Sequence, residues 1–147
     1  DAAIMNRMSE NGKGNLSISQ IATGQENNFT ISIYGEKGAL HWAQENPNYA
    51  RFSRVGKADQ IITRGGAIQN ENSYAPIRIP PGHPEGYLEG FAQIYSDAAD
   101  IVLNHKNKNE LLELLPGGDS GLQIMKFINA SVNSSKNNSI WTDLSSI

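Results

Sequence analysis

The N-terminal part of the chain alternates apolar and small polar positions with a period of two, the signature of half-buried β-strands. Ala2-Ala3-Ile4-Met5-Asn6-Arg7-Met8 predicts a strand, and Ser9-Glu10-Asn11-Gly12-Lys13-Gly14 the turn after it. Asn15 to Thr23 and Phe29 to Tyr34 repeat the alternation on either side of Gly24-Gln25-Glu26-Asn27-Asn28. Gly35-Glu36-Lys37-Gly38 predicts a tight reversal into Ala39–Trp42, and Glu45-Asn46-Pro47-Asn48 another into Tyr49–Val55. Gln60–Arg64 is a shorter strand. Connections this short force antiparallel neighbours, because a parallel return needs a crossover of about a dozen residues.

The period changes after a long, loop-like stretch from Gly65 to Gly82, where Pro76, Pro80 and Pro81 allow only a brief extended piece around Ile77–Ile79. Pro84 suits the first helical position and Glu85 its acidic first turn. Tyr87/Leu88, Phe91, Ile94/Tyr95, Ala98 and Ile101/Val102 then recur at the three-four spacing of one helical face. His105, Lys106 and Lys108 fall near its end, where positive charge complements exposed carbonyls. A second helix is predicted from Asp119, an N-cap type, through Leu122, Met125, Ile128 and Val132; Ile140–Leu144 predicts a closing strand.

Strands followed by helices predict an α+β domain: a predominantly antiparallel open sheet with helices packed on one face. No charged residue occurs between Asn15 and Gly24 or between Asn28 and Gly35. The rows Ser17, Ser19, Ile21 and Thr30, Ser32, Tyr34 fit either an ordinary solvated sheet surface or a face covered by a partner subunit or domain.

Length adds that the 147 residues make one domain, 1–147, and the net charge of −3 with 12 scattered Lys and Arg excludes a general nucleic-acid surface. The absence of Cys excludes disulfide frameworks and thiolate nucleophiles and fits a reducing, cytoplasmic setting. No apolar run approaches the ~20 residues of a membrane span, and the signal-peptide order of basic, apolar and small residues is missing. A chain that opens directly on a strand predicts the second domain of a longer protein.

Among the motifs, Gly118-Asp119-Ser120-Gly121 has the letters of a serine-protease nucleophile, but a helix follows it and the chain is too short for a double barrel with a triad. His41, His83 and His105 have no metal-ligand spacing, so no metal is expected. His83 stands apart because it ends the long loop just before a helix. Helix-entry geometry and a place in a binding site both account for it. Gly12-x-Gly14 is followed by Ser17 where a dinucleotide fingerprint needs its third Gly, and no strand-Gly-helix unit accompanies it, so no cofactor-binding residues are assigned.

In their order and spacing, Ser19–Asn28, Ile33–Trp42 and Gly82-His83-Pro84-Glu85-Gly86-Tyr87-Leu88-Glu89-Gly90-Phe91 resemble the C-terminal domain of the Gfo/Idh/MocA oxidoreductases, the glucose-fructose oxidoreductase and inositol dehydrogenase family. Asp119–Ser131 and Trp141 fit the same pattern. The resemblance implies a parent enzyme with an N-terminal Rossmann domain that binds NAD or NADP, while this second domain supports substrate binding and homo-oligomer contacts through its open sheet face. It also implies an oxidoreductase of CH–OH groups, in which hydride passes between a sugar or polyol carbon and the nicotinamide and a Lys or His outside this chain moves the proton. This sequence lacks the nucleotide-binding glycines, the Lys of the Glu-Lys-Pro motif and the Asp-x-x-x-His segment. No catalytic residue is therefore assigned within it, and the chain alone is expected to be inactive.

By the same resemblance, the turn from Thr23 to Asn28 approaches the substrate, with Gln25 and Asn27 meeting hydroxyls, and His83 belongs to a second lip of the pocket. Amides suit this role because they both donate and accept hydrogen bonds without requiring charge. An ordinary polar hairpin turn accounts for the same residues. The alternative to a dehydrogenase domain is a non-catalytic carbohydrate-binding or scaffolding module.

Overall fold

A computed structural model of the chain describes residues 1–66, 77–103 and 108–146. In chain order the elements are β1 (Ala2–Arg7), β2 (Lys13–Ile18), β3 (Thr30–Gly35), β4 (Gly38–Ala43), β5 (Tyr49–Arg54), β6 (Gln60–Thr63), α1 (Tyr87–Val102), α2 (Lys108–Leu114), α3 (Gly118–Lys136) and a closing 3-10 turn, Leu144–Ser146. The class is α+β with antiparallel pairing, and the strands divide between two sheets, β1-β2 and β3-β4-β5-β6. The chain separates into two units, one of Asp1–Thr23 with Asn104–Ile147, the other of Gly24–Leu103.

In the first unit, β1 and β2 pair from Ala2↔Ile18 to Arg7↔Lys13. The Met8 N–H reaches the Gly12 carbonyl at 2.8 Å and the Gly12 N–H reaches Ser9 Oγ at 2.9 Å, which closes the hairpin. Gly14 lies opposite Asn6, and a Cβ there would sit 2.3 Å from Asn6 Oδ1. Strand β2 stops at Ile18 rather than running to Thr23. Beyond it, Ser19 Oγ accepts the Ile21 N–H and Asp1 Oδ1 accepts the Gln20 N–H, local bonds that replace the ladder.

Helix α3 is capped two residues earlier than expected. Gly117 is its extended N-cap, and Asp119 sits in the first turn, where its charge opposes the helix dipole. At the other end Asn138 adopts φ 59° and the Ser139 N–H returns to the Ser134 carbonyl at 2.8 Å, so the Asn-Ser run terminates the helix in a left-handed cap. The same region replaces the expected strand over Ile140–Leu144. The Ile140 carbonyl is taken by Ser134 Oγ at 2.7 Å, Arg7 lies 5.5 Å over the Trp141 ring, and Asp143 accepts the Ser145 N–H at 2.8 Å. The backbone N–H of Ser145, and then its hydroxyl, hold the Asp143 carboxyl below its ordinary range. Lys108 opens the short helix α2 instead of closing α1, while His105 and Lys106 lie outside the described residues.

The second unit is a meander. β3 pairs with β4 from Thr30↔Ala43 to Gly35↔Gly38, β4 with β5 from Gly38↔Arg54 to Trp42↔Ala50, and β5 with β6 from Tyr49↔Thr63 to Phe52↔Gln60. Directly paired residues share a face. One face therefore carries Ile31, Ile33, Leu40, Trp42, Phe52 and Ile62, and the other Thr30, Ser32, Tyr34, His41, Arg51 and Ser53. On the second face Ser32 Oγ meets His41 Nδ1 at 2.8 Å and Arg51 pairs with Asp59 at 3.4 Å. Apolar surface is left in water: Ile33 is 60% exposed on the sheet, and Leu88 76% on α1.

Helix α1 starts later than its sequence signals imply. Gly86 is the N-cap, so Pro84 and Glu85 precede the helix and do not form its first turn. The Glu89 carboxylate reaches back to the Gly86 N–H at 2.9 Å. That bond, followed by the Glu89 N–H and the charges of Arg78 and Arg64, holds the Glu89 carboxyl below its ordinary value of 4.5.

Three outcomes follow for the purified chain. Gly38→Ala places a Cβ 2.5 Å from the Ser53 carbonyl and should destabilise by about 1–3 kcal/mol in urea unfolding. Gly90→Ala adds a methyl in open space within α1 and should stabilise by about 0.5–1 kcal/mol. For Glu89, a carboxyl lowered on folding stabilises above its unfolded pKa and loses that contribution as pH falls through the folded value. The α1 contribution should therefore be complete above pH 4.5 and decline below it, with a shallower decline in Glu89→Gln when unfolding is measured across pH.

Candidate substrate-binding site

The meander brings the segment before β3, the turn between β4 and β5 and the exit of β6 to one end of the four-stranded sheet. Two-residue alternation extends past the strand ends: Asn48 continues the row of Ala50 and Phe52, and Arg64 the row of Ile62. Both are polar residues at apolar-face positions. They meet Glu85, one of the few buried residues described, at 7% exposure.

Arg64 Nη1 lies 2.5 Å from Glu85 Oε2, with side chains 16% and 6% exposed. Arg64 Nε donates to Asn48 Oδ1 at 2.9 Å, and its two Nη groups donate to the carbonyls of Ile79 and His83. Asn48 closes the ring, accepting the Glu85 N–H at 3.0 Å and donating to the Glu85 carbonyl at 2.9 Å. The free edge of Glu85, Oε1, accepts the N–H groups of Arg78 at 2.7 Å and Ile79 at 3.2 Å. Arg78 in turn reaches Gln93 Oε1 and Ser96 Oγ on α1 at 3.1 and 3.0 Å. A buried carboxylate is tolerated when its charge is paired and its remaining lone pairs are filled, and both conditions hold here.

Gln25 and Asn27 lie in the turn that enters β3. Gly24 at φ 85° and Asn28 at φ 42° bend it through the left-handed region. Asn27 Nδ2 donates to Gln44 Oε1, Asn28 Nδ2 to Gln25 Oε1, and the Asn28 N–H to Glu45 Oε1 at 2.9 Å. The turn is thereby stitched to the start of the β4–β5 turn, and Gln44 and Glu45 join the candidate site. His83 reaches the same end of the sheet through its backbone carbonyl on Arg64; its side chain is exposed. Gln25 and Asn27 thus lie against the β4–β5 turn and the His83 backbone against Arg64 after β6, at the same end of the sheet, and no contact above joins His83 to Gln25 or Asn27. Asn48, Arg64, Glu85, Gln44 and Glu45 were not anticipated. For Asn48 and Arg64 the signal was a polar residue falling in register with an apolar row; Glu85, Gln44 and Glu45 had no such signal. The rim offers amides, a carboxylate and an imidazole, which suit hydroxyl recognition.

Residues 1–144 match the profile of the oxidoreductase family, C-terminal alpha/beta domain. The chain belongs to the Gfo/Idh/MocA oxidoreductase family. It is 30% identical over 139 residues to the uncharacterized oxidoreductase YfiI of Bacillus subtilis (strain 168), covering 91% of this chain and 35% of that protein. It is similar to the crystal structure of an oxidoreductase from Sinorhizobium meliloti, at 38% identity and TM-score 0.84, over 96% of this chain and 40% of that one. An inositol dehydrogenase homologue from Azotobacter vinelandii, complexed with NADH and myo-inositol, matches at 25% identity and TM-score 0.79, over 89% and 35% of the two chains. This Gfo/Idh/MocA chain spans between 35% and 40% of the length of these relatives.

A nicotinamide dinucleotide does not fit the glycines present. Gly12 closes a β-hairpin and Gly14 accommodates Asn6, whereas a pyrophosphate cradle needs glycines between a strand and a helix N-terminus. Gly118 and Gly121 lie in the first turn of α3 with no strand before them. No helix among the described residues is long and apolar enough to cross a membrane.

Breaking the buried pair should be costly. Glu85→Ala strands the Arg64 guanidinium and two backbone N–H groups, and unfolding should show a loss of about 3–5 kcal/mol. A loss under about 1 kcal/mol would place Glu85 in water and contradict its role.

Proposed function

We propose that this chain is the substrate-binding and oligomer-forming domain of an NAD- or NADP-dependent dehydrogenase or reductase acting on a sugar or polyol. The nucleotide-binding Rossmann domain and the proton-transfer groups belong to a part of the enzyme outside this chain. The observation that supports the reading is that the amide-rich Gln25–Asn28 turn and the loop bearing His83 are both held at the same end of the sheet. The myo-inositol and NADH held by the Azotobacter vinelandii homologue support a polyol substrate and a nicotinamide cofactor in the intact enzyme.

Within that enzyme, this chain's work is orientation and exclusion of water. Gln25 and Asn27 engage hydroxyls, and His83 closes the opposite lip. A rigid scaffold makes such positioning worth several orders of magnitude in rate when the reacting atoms are held near contact. A second copy of the chain covers the sheet face of Ser32 and Tyr34, where β3 carries no charge and Tyr34 is 81% exposed. The setting is the cytoplasm.

The test is a set of single alanine substitutions in the intact enzyme. Gln25→Ala, Asn27→Ala and His83→Ala each remove hydrogen bonds of about 0.5–1.5 kcal/mol, so kcat/KM on the true substrate should fall roughly 2- to 10-fold with circular dichroism unchanged. Full efficiency in all three would refute the site. In parallel, calorimetry of the isolated chain should show no NAD or NADP binding, and measurable binding would refute the assignment of the cofactor to another part of the enzyme.

A further inference from the structure

We propose that the β3–β4 turn end of the four-stranded sheet binds a small carboxylate with a flat apolar body, of the aryl carboxylate class. This end lies opposite the Gln25–Asn28 turn and uses none of the residues of that rim. The recess there has a volume of about 550 Å³, within the range of small-molecule sites, and opens to solvent.

Strand register makes the recess. Ile33, Leu40 and Phe52 lie side by side on β3, β4 and β5 and form its floor. Strands about 4.8 Å apart make that floor about 10 Å across, a span that two fused aromatic rings fill. The next row toward the turn is Gly35, Gly38 and Arg54, so Arg54 alone brings a side chain to it. Gly38 has no room for one, because the Ser53 carbonyl crowds it. Gly35 does have room: a Cβ there would meet the Gly38 carbonyl at 3.6 Å, an ordinary contact, and its backbone is outside the left-handed region. Folding therefore does not demand glycine at position 35, and the missing side chain keeps the floor open.

Charge selects the anion. The Arg54 guanidinium stands over the Phe52 ring, 5.8 Å from its centre, and Lys37 lines the recess from the reversal. Among the described residues neither side chain has a hydrogen bond or an ion pair. A guanidinium fork receives both oxygens of a carboxylate while its planar face keeps its contact with an aromatic ring. Glu36 is the one acidic residue of the lining, against two cations. The chain as a whole carries −3, so this positive excess is local. Exposed charge pairs add little affinity by themselves, so the rings laid on Ile33, Leu40 and Phe52 supply most of it and the cations supply the preference for an acid.

The test titrates 2-naphthoate, 2-naphthamide and acetate into the full 147-residue chain, followed by calorimetry and by the backbone amide resonances in NMR. Naphthoate should bind with a Kd of about 1 mM or tighter and move the Gly35 and Gly38 amides most. Naphthamide should bind at least about threefold more weakly, and acetate should not bind. Arg54→Gln should remove most of the preference for acid over amide, and raised salt should reduce it in the unsubstituted chain. Gly35→Val fills the recess and should weaken both naphthyl ligands together. No binding of naphthoate, shifts centred elsewhere, equal affinity for acid and amide, or acetate binding as well as naphthoate would each overturn the proposal. So would a full preference retained in Arg54→Gln, a variant that decides the matter even where Gly35→Val does not fold, or undiminished binding to a folded Gly35→Val.

Discussion

The Arg64–Glu85 ion pair is the constraint on which the arrangement of the second unit depends. Two opposite charges withdrawn from water are stable only while each keeps its partner and its remaining hydrogen bonds. Satisfying Glu85 therefore fixes several other things: the exit of β6, the turn before β5 through Asn48, the backbone of residues 78 and 79, and the carbonyl of His83. A loop rich in Pro and Gly has no ladder to hold it. Here a charge pair supplies what hydrogen-bonded strands supply elsewhere.

This arrangement separates a regular sheet from the irregular turns at its end. The meander provides a rigid frame, and its apolar face is incompletely covered, with Ile31, Ile33 and Leu40 from 37% to 60% exposed. The candidate site lies at the sheet end, on turns held by side-chain bonds between amides and carboxylates. The chain matches the C-terminal alpha/beta domain of the Gfo/Idh/MocA family over residues 1–144.

How far the site could be read from sequence varies by residue. The Gly24–Asn28 turn was legible as a turn from its Gly and Asn residues, whereas a role for Gln25 and Asn27 in substrate binding came only from the family resemblance. Glu85 was misread as a helix-dipole charge, since Pro84-Glu85 mimics the start of a helix that in fact begins at Tyr87. Its true partner, Arg64, is 21 residues away along the chain, and no local pattern links the two. Gln44 and Glu45 were hidden for the same reason, because their role comes from facing a turn 17 positions earlier.

Local regularities were determined by the sequence alone. Period-two alternation and short Gly-containing turns dictated six antiparallel strands, and three-four spacing dictated α1 and α3, because these depend on neighbours within a few residues. The tertiary structure decided what depends on distant partners. It divided the strands between two sheets, spent Ser134 on Ile140 and Arg7 on Trp141 where a closing strand was expected, and buried a charge pair in place of a surface cap. A hydrogen bond or ion pair gains its value from geometry and burial, and neither exists until the chain has folded back on itself.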